Sequence, residues 1–192
     1  MTALIAGLVL FLGVHSVRIF AEPWRTAARA RLGENGYKGL YSLASLAGIV
    51  LLVWGFGQAR QQPVPMWPAM VWTRHLAGLL MIVSFVLLAA AYVPGNGIKA
   101  RVHHPMVLGV KVWAFAHLLA NNTLADLVFF GAFLAWAVLS FRAARARDRA
   151  AGTLYPPGRA GATLAAVAIG IGAWAVFAFW GHAVVVGVRP FG

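Results

Sequence analysis

Six histidines and one lysine set inside an apolar segment are the residues of this chain whose chemistry stands out. A neutral imidazole ligates haem iron, zinc or copper, and two histidines facing each other from different helices are a common way to hold haem in a bundle. His15 stands with Arg18 and Glu22 at spacings of three and seven, on one stripe if a single helix runs that far. His104 and Lys111 share a helix face, while His117 is turned from His104 by about 140°. Asn121 lies one turn beyond His117, placed to orient its ring or to cap the helix. Lys111 must reach the surface, find an acidic or carbonyl partner, or lose its proton. In a functional reading it is a counter-charge for an acidic ligand group such as a haem propionate.

Other chemistry has little support. Cysteine is absent, which removes disulfides, iron–sulfur clusters, thiolate-ligated haem and covalent c-type attachment. No His-Glu-x-x-His spacing, no paired carboxylates and no glycine-rich phosphate loop occur, so zinc hydrolase and nucleotide-driven mechanisms are set aside. From the residues alone, each histidine has two readings: a metal ligand, or a ring hydrogen-bonded to a neighbouring helix.

The elements that must position these residues are six apolar stretches: roughly Thr2 to Phe20, Gly39 to Gly57, Trp67 to Val93, Pro105 to Asn121, Leu124 to Phe141 and Ala162 to Val186. Each approaches the ~20 residues a bilayer span needs. The expected fold is therefore an all-α polytopic transmembrane bundle of about six spanning helices, a single domain over residues 1–192. Basic connections are expected near 21–38, 94–104 and 142–161. Assigning these to the cytoplasm leaves Arg60, Arg74 and Arg189 on the other side, which puts both termini outside. The first segment lacks a basic n-region and a cleavage signal and is read as a retained span.

Localisation follows as a multi-pass protein of a bacterial-type inner (cytoplasmic) membrane. The net charge of +12 is accounted for by this topogenic bias rather than by nucleic acid, and the lipid bilayer is the expected partner. The run Arg142 to Arg149 suits anionic headgroups. An ion pair of Asp126 with Arg74 is also expected.

At the fourth stretch the residues become recognisable. His103-His104-Pro105-Met106, Gly109, Trp113-Ala114 and Ala116-His117-Leu118-Leu119-Ala120-Asn121, followed by Phe129-Phe130-Gly131 and Ala135-Trp136-Ala137, join Val14-His15-Ser16-Val17-Arg18 of the first. This pattern resembles the NnrU family of integral membrane proteins, which also includes the 15-cis-zeta-carotene isomerases of plants and cyanobacteria. The resemblance implies haem b held between two histidines, with His117 matching one ligand and His15 the other. His75 is an alternative partner because its expected depth is closer to that of His117. His104 has a supporting role, and Arg18 and Lys111 would neutralise the propionates. In the isomerase branch the implied activity is haem-dependent cis–trans isomerisation of an apolar polyene. The bacterial branch is associated with denitrification, and a cofactor-free accessory factor for nitrite or nitric oxide metabolism is the alternative. His75 and His182 match no motif of the family.

Overall fold

Apolar runs of this length satisfy their backbone groups as helices, and in the computed structural model, which describes residues 1–191, the chain is helical nearly throughout. The helices are α1 Thr2–Phe20, α2 Glu22–Ala59, α3 Val71–Tyr92, α4 Gly97–Val102, α5 Pro105–Ala120, α6 Leu124–Ala150, α7 Ala160–Val176 and α8 His182–Val186. A π-helical turn, Phe177–Gly181, joins the last two. Five helical stretches, α1, α2, α3, α6 and the continuous Ala160–Val186, are long and apolar enough to cross a membrane. The remaining apolar stretch forms the 16-residue α5, shorter than the others.

Two of the basic segments expected as loops are largely helical. α2 begins at Glu22 and bends at Gly33, whose φ of 70° and ψ of 166° are open to glycine. Its first part, Glu22 to Leu32, carries Arg25, Arg29 and Arg31 ahead of the apolar run. α6 continues to Ala150 through the arginine run. Alternating charge and alanine are compatible with helix, so charge alone did not mark these ends. α1 stops at Phe20, so Arg18 and Glu22 meet across a break, at 3.9 Å, rather than along one helix.

The helices pack in a row: α2 on α1, α1 on α6, α6 on α5, α5 on α3 and α3 on α7. Absent side chains set the closest crossings. A Cβ at Gly55 would lie 2.3 Å from the Leu4 backbone nitrogen, and one at Gly170 would lie 2.5 Å from the Val86 Cα. Such contacts let helices approach where lipid supplies no hydrophobic drive. Ser84 adds a buried hydrogen bond, its hydroxyl donating to the Gly109 carbonyl across α3 and α5 at 2.9 Å.

At one end, the chain turns between α2 and α3 and between α5 and α6 meet through Met66 N to Asn122 O and Leu124 N to Val64 O. At the other, the basic end, Arg159 N donates to Gly95 O, and Gly97 N donates to the Thr163 hydroxyl. The middle of the row is aromatic: Phe11 of α1, Trp113 of α5 and Phe129, Phe130 and Phe133 of α6 touch in succession.

Candidate functional site

Two cavities flank that aromatic middle. The one at the basic end has a volume of about 380 Å³ and is lined by His15, Arg18, His104, Ser140, Arg147 and Asp148 among others. His104 occupies the position just before α5 without a side-chain bond to the helix end, and its Nε2 donates to Asp148 Oδ2 at 2.8 Å. His103, the one non-glycine residue with positive φ among those described, turns the chain between α4 and α5. Its ring stacks on Tyr155 at 3.9 Å, and Arg145 hydrogen-bonds its Nδ1. The Tyr155 hydroxyl donates to the same Asp148 oxygen at 2.9 Å.

Burial works against the Asp148 carboxylate, but hydrogen bonds from Tyr155 and His104 and the charges of His104 and Arg145 outweigh it. They hold its pKa below the ordinary carboxylate value. Burial, helped by the bond to Asp148, pushes the Tyr155 phenol up. Asp148 is the single acid in the arginine run, a sequence signal that could have marked it as the partner of the His-His pair.

The second cavity, at the opposite end, has a volume of about 410 Å³. Its walls come from α3, α5, α7 and the chain that follows, and include Met81, Phe85, Trp174, Phe177 and Phe191, with Arg74, Asn121 and Arg189 among its polar residues. His117 and His182 both line it. Asn121 does not orient the His117 ring: its Nδ2 donates to the His117 backbone carbonyl at 2.8 Å, and the helix ends there.

His15 and His117 share one local device. Nδ1 of His15 lies 2.7 Å from the Phe11 carbonyl, and Nδ1 of His117 lies 2.8 Å from the Trp113 carbonyl, four residues back in each case. A carbonyl only accepts, so Nδ1 carries the proton and a neutral ring keeps its lone pair on Nε2, the arrangement a metal-ligating histidine uses. The structure does not bring these two rings together. The His117 ring stacks on Phe130 at 4.7 Å, while that of His15 lies edge-on to Trp136 at 6.2 Å. Those positions on α6 are about 9 Å apart along its axis. A shared metal ion would draw both nitrogens to within about 2 Å of itself. Phe11, Phe133 and Trp113 lie between them.

The other expected residues are dispersed. Arg18 belongs to the basic-end cavity, Lys111 lines neither cavity, and His75 is exposed on α3. Asp126 is not paired with Arg74; it closes a capping box with Thr123 at the start of α6, accepting from the Thr123 hydroxyl at 2.6 Å. That Thr-x-x-Asp spacing was present in the sequence and outweighs a remote arginine because the cap is local. Among the described residues no three His, Cys, Asp or Glu side chains gather to hold a metal ion. The chemistry of a haem site is different: an aromatic slot, one or two imidazoles and cations for the propionates. The cavity of His117 offers all three residue types, whereas that of His15 is lined by imidazoles and arginines but, among the described residues, by no Phe, Tyr or Trp side chain, and contains the Asp148 carboxylate.

Comparison with known proteins gives a family and nothing finer. No curated protein and no solved structure matches the chain. The family model described as NnrU protein matches residues 3–190, nearly its whole length. This chain, a bundle of apolar membrane-type helices, belongs to the NnrU family.

Proposed function

We propose that this protein binds haem b within the membrane, where His117 would hold the iron, and uses it in a redox-linked or cis–trans isomerase-like role on an apolar substrate such as a polyene. The observation that carries this reading is the His117 ring. Its Nδ1 is tied to the Trp113 carbonyl, its Nε2 has no hydrogen-bond partner among the described residues, and it lines an aromatic cavity of about 410 Å³. That volume falls in the range of about 300–1,000 Å³ that small-molecule sites occupy. When bound, the haem supplies an iron centre able to exchange electron density with a ligand or polyene. The chain's own part is to fix the ring, exclude water through Phe85, Trp174 and Phe177, and present cations. We place the protein in a bacterial-type inner membrane with the basic end cytoplasmic and both termini outside, from the distribution of Lys and Arg.

Hemin titration of two variants tests the ligand assignment. His117→Ala should lose haem retention, whereas His103→Ala, whose ring stacks on Tyr155 at the basic end, should retain it nearly in full. Equal retention in both would remove His117 from the site.

A further inference from the structure

His182 was left without a role by its sequence context, yet its surroundings repeat those of His117. α7 does not run regularly to its end: the π-helical turn Phe177–Gly181 shifts the register and delivers His182 to the cavity wall. π-turns within α-helices are frequent at functional sites. Gly187, at φ 78°, then stops α8 in the left-handed conformation and folds the chain back. The fold-back carries the Val188 carbonyl to 2.6 Å from His182 Nδ1. As with His117, the carbonyl can only accept, so Nδ1 bears the proton and Nε2 keeps the lone pair. The returning segment also brings Arg189 to the cavity and lays the Phe191 ring against Gly78, where a Cβ would stand only 2.5 Å from it.

Two imidazoles whose Nε2 has no hydrogen-bond partner among the described residues thus line one aromatic cavity from different helices, and two guanidinium groups, Arg74 and Arg189, line the same space. Arginine matches carboxylates in geometry and stays charged, so this pair suits a ligand with two carboxylates. We infer that His117 and His182 form the axial pair for one haem, with Arg74 and Arg189 holding its propionates. This places His15 outside the coordination sphere. The inference rests on the proposed haem function and deepens it by naming the second ligand. Trp174 and Phe177 would pack against the macrocycle, and the Gly187 turn would set the His182 ring.

The spin state of the ferric protein tests this separately from haem binding itself. Wild-type protein, purified from haem-replete cells, should show a six-coordinate low-spin spectrum by visible absorption and electron paramagnetic resonance. His182→Ala should convert it to a high-spin form, and free imidazole should restore the low-spin signal, which a misfolded variant would not allow. His15→Ala should remain low-spin. Arg189→Gln should keep the wild-type spectrum while weakening hemin affinity by about tenfold, as loss of an outer-shell partner does. A wild type that binds haem and stays low-spin in His182→Ala but turns high-spin in His15→Ala would overturn the pairing while leaving the haem function intact. A wild type that takes up no hemin would overturn both.

Discussion

The two ends of this molecule treat the same side chain in opposite ways. At the basic end, two of the three imidazoles are absorbed into a polar network: His104 donates to Asp148, and Arg145 hydrogen-bonds His103, whose ring stacks on Tyr155. His15, tied through Nδ1 to the Phe11 carbonyl, lines the cavity there with Arg18, Arg147 and Asp148 and, among the described residues, no Phe, Tyr or Trp ring. At the opposite end, His117 and His182 are tied, among the described residues, only through Nδ1 to backbone carbonyls, and their cavity is walled by aromatic rings. A buried polar network is stabilising when its members are satisfied, and its histidines are then committed. Rings held by one nitrogen in an apolar slot keep the other for a ligand. A histidine's chemistry here is decided by what its second nitrogen meets and by the walls of the cavity around it.

Exchanging the consequences of two substitutions breaks the comparison most sharply. His117→Ala should abolish haem retention with little change in the melting temperature of the haem-free protein. His104→Ala should lower that melting temperature, because it strips a donor from a carboxylate that is only 16% exposed, and should leave haem retention unchanged. Pyridine haemochrome assays and thermal unfolding in detergent read the two effects. If both variants lose haem equally, the ends are not chemically distinct.

Glycine crossings offer the next largest effect. Gly55→Val forces α2 away from α1, and Gly170→Val forces α7 away from α3, since in each a Cβ would strike backbone. Overpacking of this kind costs about 1–3 kcal/mol. Both should melt earlier, but only Gly170→Val, which moves the helix leading to His182, should perturb a haem spectrum. A spectral change in Gly55→Val instead would place the site on the α1 side.

A third test uses acid. Because the folded pKa of Asp148 is lowered from 3.8, its contribution to stability is complete above that value and is lost as pH falls through the lowered one. The gap in melting temperature between wild type and Asp148→Asn should be constant from pH 8 to 5 and narrow below about pH 4. A gap that closes near neutrality would contradict the carboxylate network. The smallest effect is expected at Trp136, whose indole N–H is buried without a hydrogen-bond partner among the described residues. Trp136→Phe removes an unsatisfied donor that costs about 1–3 kcal/mol, and this offsets the lost packing, so the melting temperature should scarcely fall.

Much of the architecture was legible in the sequence because apolar runs of span length admit few alternatives. α1, α3 and α6 begin within a few residues of their expected starts. The surface helix before Gly33 and the arginine-bearing end of α6 were hidden because charge marks the end of a span, not the end of a helix. Pairing across the bundle was less legible. His104 stands at the N-cap of α5 with non-helical dihedrals, so it does not share a helix face with Lys111, and only His104 joins the Asp148 network. His182 gave no signal, because a π-turn and a left-handed glycine set its position and neither has a sequence period.

The visible absorption spectrum of the detergent-purified protein, oxidised and dithionite-reduced, with a pyridine haemochrome assay on the same sample, tests the central claim most directly. Haem b near one per chain is the predicted result. A colourless protein that stays colourless with added hemin would contradict it and would leave the accessory role in nitrite or nitric oxide metabolism as the reading to pursue.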